Sequence, residues 1–235
     1  MRKISLLVAV ALMVAMGSKA NAQLERSLYL NLGVPTGDFS KDRVTPWNLY
    51  PMGKTYMGNN AVMGFGVGAR IAYFFDIGFG ELAPFAGIDM LWNPIKKDLR
   101  KEYMDADNCK YPKYWNIPAM VGVTYRYSVD RIVKPYAEFG VGCDIFSVTA
   151  EGFHNVSGKQ EYKYTPTTTV AWQIGAGTYL GDYVSVGINY YHLGLHVIDY
   201  RENSDRPLPA LIGGAAEGTK YVQLGMTMFR IGFHF

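Results

Sequence analysis

Cysteine is scarce: Cys109 and Cys143 are the only two in 235 residues, too few for the disulfide frameworks that hold small secreted domains together. Charge is also sparse, with Asp, Glu, Lys and Arg making up 18% of the chain, unlike a disordered polypeptide. Beyond residue 22 no uncharged apolar run approaches the ~18 to 20 residues that a helix needs to cross a bilayer, which excludes an α-helical membrane protein. The Gly64 to Gly68 stretch lacks the G-K-[ST] ending and following helical pattern of a phosphate loop. No G-x-S-x-G is present, and the expected strand registers bring no serine beside a histidine, so no serine hydrolase is read. No catalytic, cofactor-binding or metal-ligating residue is assigned, and the chain is expected not to be an enzyme.

What the chain has in quantity is glycine and aromatic residues: 26 Gly, 18 Tyr, 12 Phe and 4 Trp. Its first residues, Met1-Arg2-Lys3 followed by the apolar Ile4 to Met16 and the small-residue run Ala20-Asn21-Ala22, have the form of a secretory signal peptide cut before Gln23. That apolar stretch is too short for a permanent anchor, and Gln23 in place of a cysteine argues against a lipid-modified terminus. The formal charge of +3 includes Arg2, Lys3 and Lys19. Residues 23 to 235 are therefore balanced, and the basic precursor gives no reason to expect a nucleic-acid partner.

Alternation with a period of two predicts eight strands, near residues 26 to 34, 61 to 75, 82 to 93, 114 to 128, 134 to 149, 167 to 180, 183 to 199 and 219 to 235. Each is long enough for the ~9 to 11 residues of a tilted transmembrane strand. The connections alternate strictly. Long ones fall near 35 to 60, 94 to 113, 150 to 166 and 200 to 218, and short ones near Asp76 to Glu81, Val129 to Val133 and the two residues Gly181-Asp182. Short turns at one end and long loops at the other predict an all-β fold, an antiparallel up-and-down barrel of eight strands in a bacterial outer membrane, with the long loops outside.

Alternate side chains leave opposite faces of a strand. Val121, Val123, Tyr125 and Tyr127, with Ala137, Phe139, Val141, Cys143 and Ile145, are expected to face lipid. Met120, Gly122, Thr124 and Arg126 are expected in the lumen with Tyr136, Glu138, Gly140, Gly142 and Asp144. The lumen should also hold Gly64, Gly66, Gly68 and Arg70, and Gln173, Gly175, Gly177 and Tyr179, the glycines leaving room for bulky neighbours in a barrel just wide enough to be filled. Arg126 and Glu138, diagonal neighbours across a hairpin centred near residue 131, are predicted to pair as a structural plug, and Arg70 with Asp89 to form a similar pair.

His192 and His196, four apart on a strand, should stand about 13 Å apart on one face, too far to share an ion. His154 falls in a loop and His234 beside the last residue. Cys109 in a long loop and Cys143 on the lipid face are expected to remain unpaired with each other. Trp92, Trp115 and Trp172 read as an interfacial girdle. Trp47 and Tyr50, beside Pro46 and Pro51 in the longest loop, suit either a binding platform or a cap over the barrel mouth.

Phe229, Ile231, Phe233 and the terminal Phe235 occupy alternate positions, which resembles the carboxyl-terminal signal that outer-membrane barrels present for insertion. The segments WNIPAMVGVTYRY, KPYAEFGVGCDI and IGAGTYLGDYVSVGINYYHLGL resemble the outer-membrane β-barrel domain family common in Bacteroidetes, small porin-like barrels. The resemblance implies a membrane barrel without shared catalytic residues, surrounded by outer-membrane lipid and recognised by the barrel-insertion machinery through Phe235. It names no cofactor and no external ligand. Two functions from different classes are expected in order: a structural or surface-interaction barrel, then a narrow transport barrel for small or apolar solutes. A lipid-modifying outer-membrane enzyme ranks below both.

Overall fold

The computed structural model describes residues 23–41, 60–98, 111–127, 132–155, 158–204 and 217–235. The strands are β1 (Gln23–Gly37), β2 (Gly64–Asp76), β3 (Glu81–Asn93), β4 (Tyr114–Arg126), β5 (Val133–Val148), β6 (Glu151–Asn155), β7 (Gly158–Tyr164), β8 (Thr167–Leu180), β9 (Val184–Ser204) and β10 (Glu217–His234). All pair antiparallel. The wall runs β1-β2-β3-β4-β5-β8-β9-β10 and closes where β10 pairs with β1, Leu28 opposite Phe233 and Leu32 opposite Phe229. Closure removes the open sheet edge that a bilayer, unable to hydrogen-bond it, would not tolerate. The protein is thus an all-β, antiparallel, closed eight-stranded barrel, as the alternation predicted.

Two connections differ from expectation. The third long loop contains a hairpin of its own, β6 and β7, whose second strand pairs with the far end of β9, Tyr164 opposite Tyr200. The turn read as Gly181-Asp182 holds three residues, since Leu180 pairs with Val184 and leaves Tyr183 in the loop. Gly181 takes a φ of 68° in that turn, a left-handed conformation that residues with a side chain avoid.

A bulge sets the register of the last two strands. Leu224 pairs with Gly194 but Gly225 pairs with His192, so Leu193 is the extra residue on β9. Gly194 supplies the left-handed turn this requires, at φ 84°, and a Cβ there would press on Thr169 and the Val170 carbonyl. The alternation is consequently reset on β9: Tyr191 and Leu193 are buried, and so are Gly194, His196 and Ile198.

The two faces of the wall differ as a membrane barrel requires. Outward stand Leu28, Leu30, Phe65, Val67, Val121, Val141, Ile174 and Ile188, all exposed to the surroundings. Phe229, Ile231, Phe233 and Phe235 lie on this face too. Trp92 pairs with Trp115 near the long-loop end, beside Phe65. Trp172 stacks on His192, ring centres 5.5 Å apart. Phe79, Tyr127 and Tyr183 ring the short-turn end. Trp115 on β4 and Tyr127 just past its end stand twelve residues apart, about 40 Å along a strand rising ~3.3 Å per residue and about 30 Å along the axis at a ~40° tilt. That is the thickness of a bilayer's hydrocarbon core.

Inside, the chain fills the lumen in tiers. Near the short turns the tier is polar and aromatic, with Glu25, Ser27, Phe74, Arg126, Tyr179 and His234 buried. The middle holds Arg70, Glu138, Asp89, Arg230 and Tyr191, also buried. Toward the long loops it turns apolar, with Leu91, Met120, Leu224, Met226 and Met228, and the tier at the rim is built on Phe39, Tyr114 and Phe146.

Candidate functional site

The lumenal charges expected from the sequence are in the lumen, but they choose other partners. Arg126 stands opposite Tyr136 and Arg70 opposite Gly87, which makes Glu138 and Asp89 their diagonal neighbours as the hairpins implied, yet neither diagonal forms an ion pair. Arg126 Nε lies 2.7 Å from Glu81 and its Nη1 3.0 Å from Glu25. Arg70 instead pairs with Glu138, and Arg230 bonds Asp89 at 2.9 Å and approaches Glu138 at 3.5 Å. The expected pairs Arg126–Glu138 and Arg70–Asp89 are therefore replaced. In so narrow a barrel a guanidinium on a long stem reaches across the lumen as readily as along the wall, so carboxylates on distant strands compete with diagonal neighbours.

Each arginine also lies against an aromatic face: Arg70 on Phe85 at 3.7 Å, Arg126 on Phe74 at 3.9 Å and Arg230 on Tyr29 at 4.4 Å. These contacts add to the charge pairing where water is excluded. Glu138 further accepts hydrogen bonds from Gln173 and Asn189, and Asp89 from Asn31 and Tyr191. Glycines make the space: the Tyr136 ring lies against Gly177 and Gly187, where a Cβ would collide with it. The cavity left among Tyr29, Arg70, Phe85, Asp89, Tyr191 and Arg230 is about 10 Å³, room for about one water molecule. A larger depression, about 730 Å³, lies on the outer wall around Ala137 and Ala176, between Tyr125, Phe139, Ile174 and Ile188. It opens toward lipid, not into the lumen.

At the short-turn end the structure overturns the expectation that no serine neighbours a histidine. Ser27 stands directly opposite His234 in the β1–β10 register, with Oγ 2.9 Å from Nδ1. Ser185 Oγ lies 2.8 Å from Nε2 of the same ring, and Glu25 Oε1 lies 3.0 Å from Nδ1. Pairing strands through their turns does not reveal this set. The contact to Ser27 crosses the barrel's closing seam, between the two ends of the chain.

His192 and His196 do not share a face: the bulge turns His192 outward onto Trp172 and His196 inward. His196 Nε2 donates to the Leu193 carbonyl at 3.0 Å, Thr167 Oγ1 lies 2.7 Å from Nδ1, and Asp144 Oδ2 is 3.2 Å from Nε2. Beyond that contact with His196, both carboxylate oxygens of Asp144 and both side-chain polar atoms of Asn116 are buried without a well-formed hydrogen bond among the described residues, a costly arrangement in an apolar surrounding. Among the described residues no three His, Cys, Asp or Glu side chains come together as metal ligands do. Cys143 is free on the outer wall, and Cys109 lies outside the described residues.

The long-loop end is closed below and raised above. Phe39 packs edge-on against Tyr114 and Phe146 with ring centres at 5.5 and 5.8 Å. The backbone around it is pinned, since Ala61 N donates to the Phe39 carbonyl and Asn60 N to the Lys41 carbonyl, both at 3.0 Å. Both flanks of the first long loop thus fold over the mouth, while Trp47 and Tyr50 themselves lie outside the described residues. Beyond the rim, the far ends of β9 and β10 continue with β7 and β6 as a small sheet. Tyr162, Tyr164 and Tyr200 cluster on the face that continues the lumenal side, ring centres 6.0 and 6.4 Å apart, and Lys163 and Arg201 stand opposite each other in the register on the other, exposed face.

A closed eight-stranded wall, an apolar outer band of bilayer thickness and a filled lumen define the molecule. The model of the outer membrane protein beta-barrel domain matches residues 6–208. The chain belongs to this family. Membership places it in the bacterial outer membrane. Among solved structures, a major outer membrane protein from Thermus thermophilus is 12% identical, with 91% of this chain and 100% of that one covered and a TM-score of 0.49. The outer membrane protein OprG from Pseudomonas aeruginosa is 13% identical over 93% and 98%, at a TM-score of 0.46. Neisserial surface protein A is 10% identical over 91% and 97%, at 0.41. No curated protein matches the chain in sequence. Assignment to the outer membrane barrel family rests on the family model.

Proposed function

We propose that this family member is a non-conducting surface barrel that holds its long-loop end out of the membrane to engage an external partner. The observation that carries this reading is the filled lumen: three arginines crossed by carboxylates and aromatic rings, with a central cavity of about 10 Å³. A solute passing through would have to break that ion network, and then the Phe39, Tyr114 and Phe146 tier. The raised sheet of β6, β7, β9 and β10 supports the second half of the reading, because it carries tyrosines and cations beyond the rim.

In this reading residues 1–22 are removed on secretion, the short turns face the periplasm, and Phe235 is presented to the insertion machinery. The motif resemblance points to a Bacteroidetes source. The transport reading requires a continuous passage. Recordings in planar bilayers test the choice: the barrel is expected to give no steady conductance, and ohmic steps of porin size would reverse the preference.

A further inference from the structure

Of the polar groups in the lumen, one set has the connectivity of a nucleophile, a base and an orienting acid. Ser185 Oγ is 2.8 Å from His234 Nε2, and the opposite ring nitrogen, Nδ1, is 3.0 Å from Glu25 Oε1. Glu25 is itself held: Tyr179 donates to Oε1 at 2.9 Å and Arg126 to Oε2 at 3.0 Å. Ser27 Oγ closes the set, 2.9 Å from Nδ1 and 3.4 Å from Glu25 Oε1.

A carboxylate beside Nδ1 keeps the imidazole proton on that nitrogen, which leaves Nε2 to accept from the serine hydroxyl. The ring cannot turn away, since Tyr179 covers it at 4.5 Å between centres and Tyr29 meets its edge. The position facing Ser185 is Gly232, where a Cβ would come 2.5 Å from Ser185 Oγ and 3.0 Å from His234 Nε2, so the close approach of serine to histidine depends on the missing side chain. The three residues come from β9, β10 and β1, each within a few residues of the short-turn rim.

We propose that Ser185 is a nucleophile activated by His234 as general base, with Glu25 as positioning residue, and that this rim cleaves small carboxylic esters. This goes beyond the surface-binding reading and is independent of it, since it concerns the opposite end of the barrel. Ser185 Oγ bonds to the acyl carbon as its proton passes to His234 Nε2, and that proton then leaves on the departing alcohol oxygen. Water, deprotonated by the same nitrogen, hydrolyses the acyl-serine and restores the hydroxyl. With Ser185 only 2% exposed, only compact acyl groups suit the site.

The test uses the full chain folded in detergent, with folding followed by heat-modifiable gel mobility. Methanesulfonyl fluoride, a compact reagent, is the probe: the serine oxygen bonds to sulfur and fluoride leaves. A single adduct on Ser185 by mass spectrometry is expected. In His234→Gln the adduct should form about 100-fold more slowly, and in Glu25→Gln several-fold more slowly. Release of nitrophenol from p-nitrophenyl acetate should exceed that of Ser185→Ala. Absence of a Ser185 adduct on folded barrel, an adduct on Ser27 instead, or equal rates in folded His234→Gln would overturn the proposal. Should His234→Gln not fold, the wild-type adduct and its slower formation in Glu25→Gln decide.

Discussion

Arg230 Nη2 lies 2.9 Å from Asp89 Oδ2, although β1 and β2 stand between their strands in the wall. The bond crosses the lumen. Arg230 also donates to the Asn31 side-chain oxygen at 3.2 Å and to the Tyr191 hydroxyl at 2.6 Å, so one guanidinium joins β1, β3, β9 and β10. Such a tie resists opening of the seam where the barrel closes.

The network should respond to mutation according to its real partners. Glu138→Ala leaves Arg70 buried without its carboxylate, and a loss of about 3 to 5 kcal/mol is expected, measured by denaturant unfolding in lipid vesicles. A double-mutant cycle of Arg70 with Glu138 should show coupling above about 1 kcal/mol. The cycle of Arg126 with Glu138 should fall below about 0.5 kcal/mol; the reverse order would contradict the pairing described.

Phe39 closes the long-loop end and is fully buried. Phe39→Ala should cost about 3 to 5 kcal/mol yet leave bilayer recordings silent, because the arginine tier beneath remains intact. New conductance in this variant would mean that the cap alone seals the barrel.

Faces can be distinguished by a single charge. Val121 points outward and is 56% exposed to its surroundings, so in a membrane Val121→Arg should destabilise by about 2 to 4 kcal/mol. In Val133→Arg, near the short-turn rim, the loss should be about 0 to 1 kcal/mol. Unfolding of the two variants in vesicles makes the comparison, and equal losses would remove the lipid assignment of this band.

Asp182, in the turn between β8 and β9, is held below the ordinary aspartate range by a hydrogen bond from Lys134 and by its charge. A lowered folded value means that the pair's stabilisation is complete above the ordinary aspartate range and is lost as pH falls through the lowered value. The side chain is exposed, so water and salt keep the effect small. Carbon NMR of the Asp182 carboxyl should titrate below the ordinary range in the native chain and return to it in Lys134→Met.

The architecture was legible in the sequence because a membrane barrel writes itself locally. Val121 and Phe139 must meet lipid, Thr124 and Glu138 must not, and a period of two is all that separates them. The turns and long loops alternate for an equally local reason, the up-and-down path of the chain. Legibility failed on β10 from Tyr221 to Met226: there the inward side chains Val222, Leu224 and Met226 are apolar and buried while Gln223 between them is exposed, so hydrophobicity no longer marks the lipid face. The bulge at Leu193 and Gly194 was hidden as well, and with it the opposite orientations of His192 and His196.

Away from the β9 bulge, the chain itself determined which residues enter the lumen, since side-chain direction follows from strand parity. Which of them touch was decided only by tertiary structure. Arg230 finds Asp89, and His234 finds Ser27, Ser185 and Glu25, because closure and strand stagger bring the two ends of the chain to one seam and put distant strands within a side chain's reach. Those distances depend on the circumference and tilt of the whole barrel, and no stretch of sequence encodes them by itself.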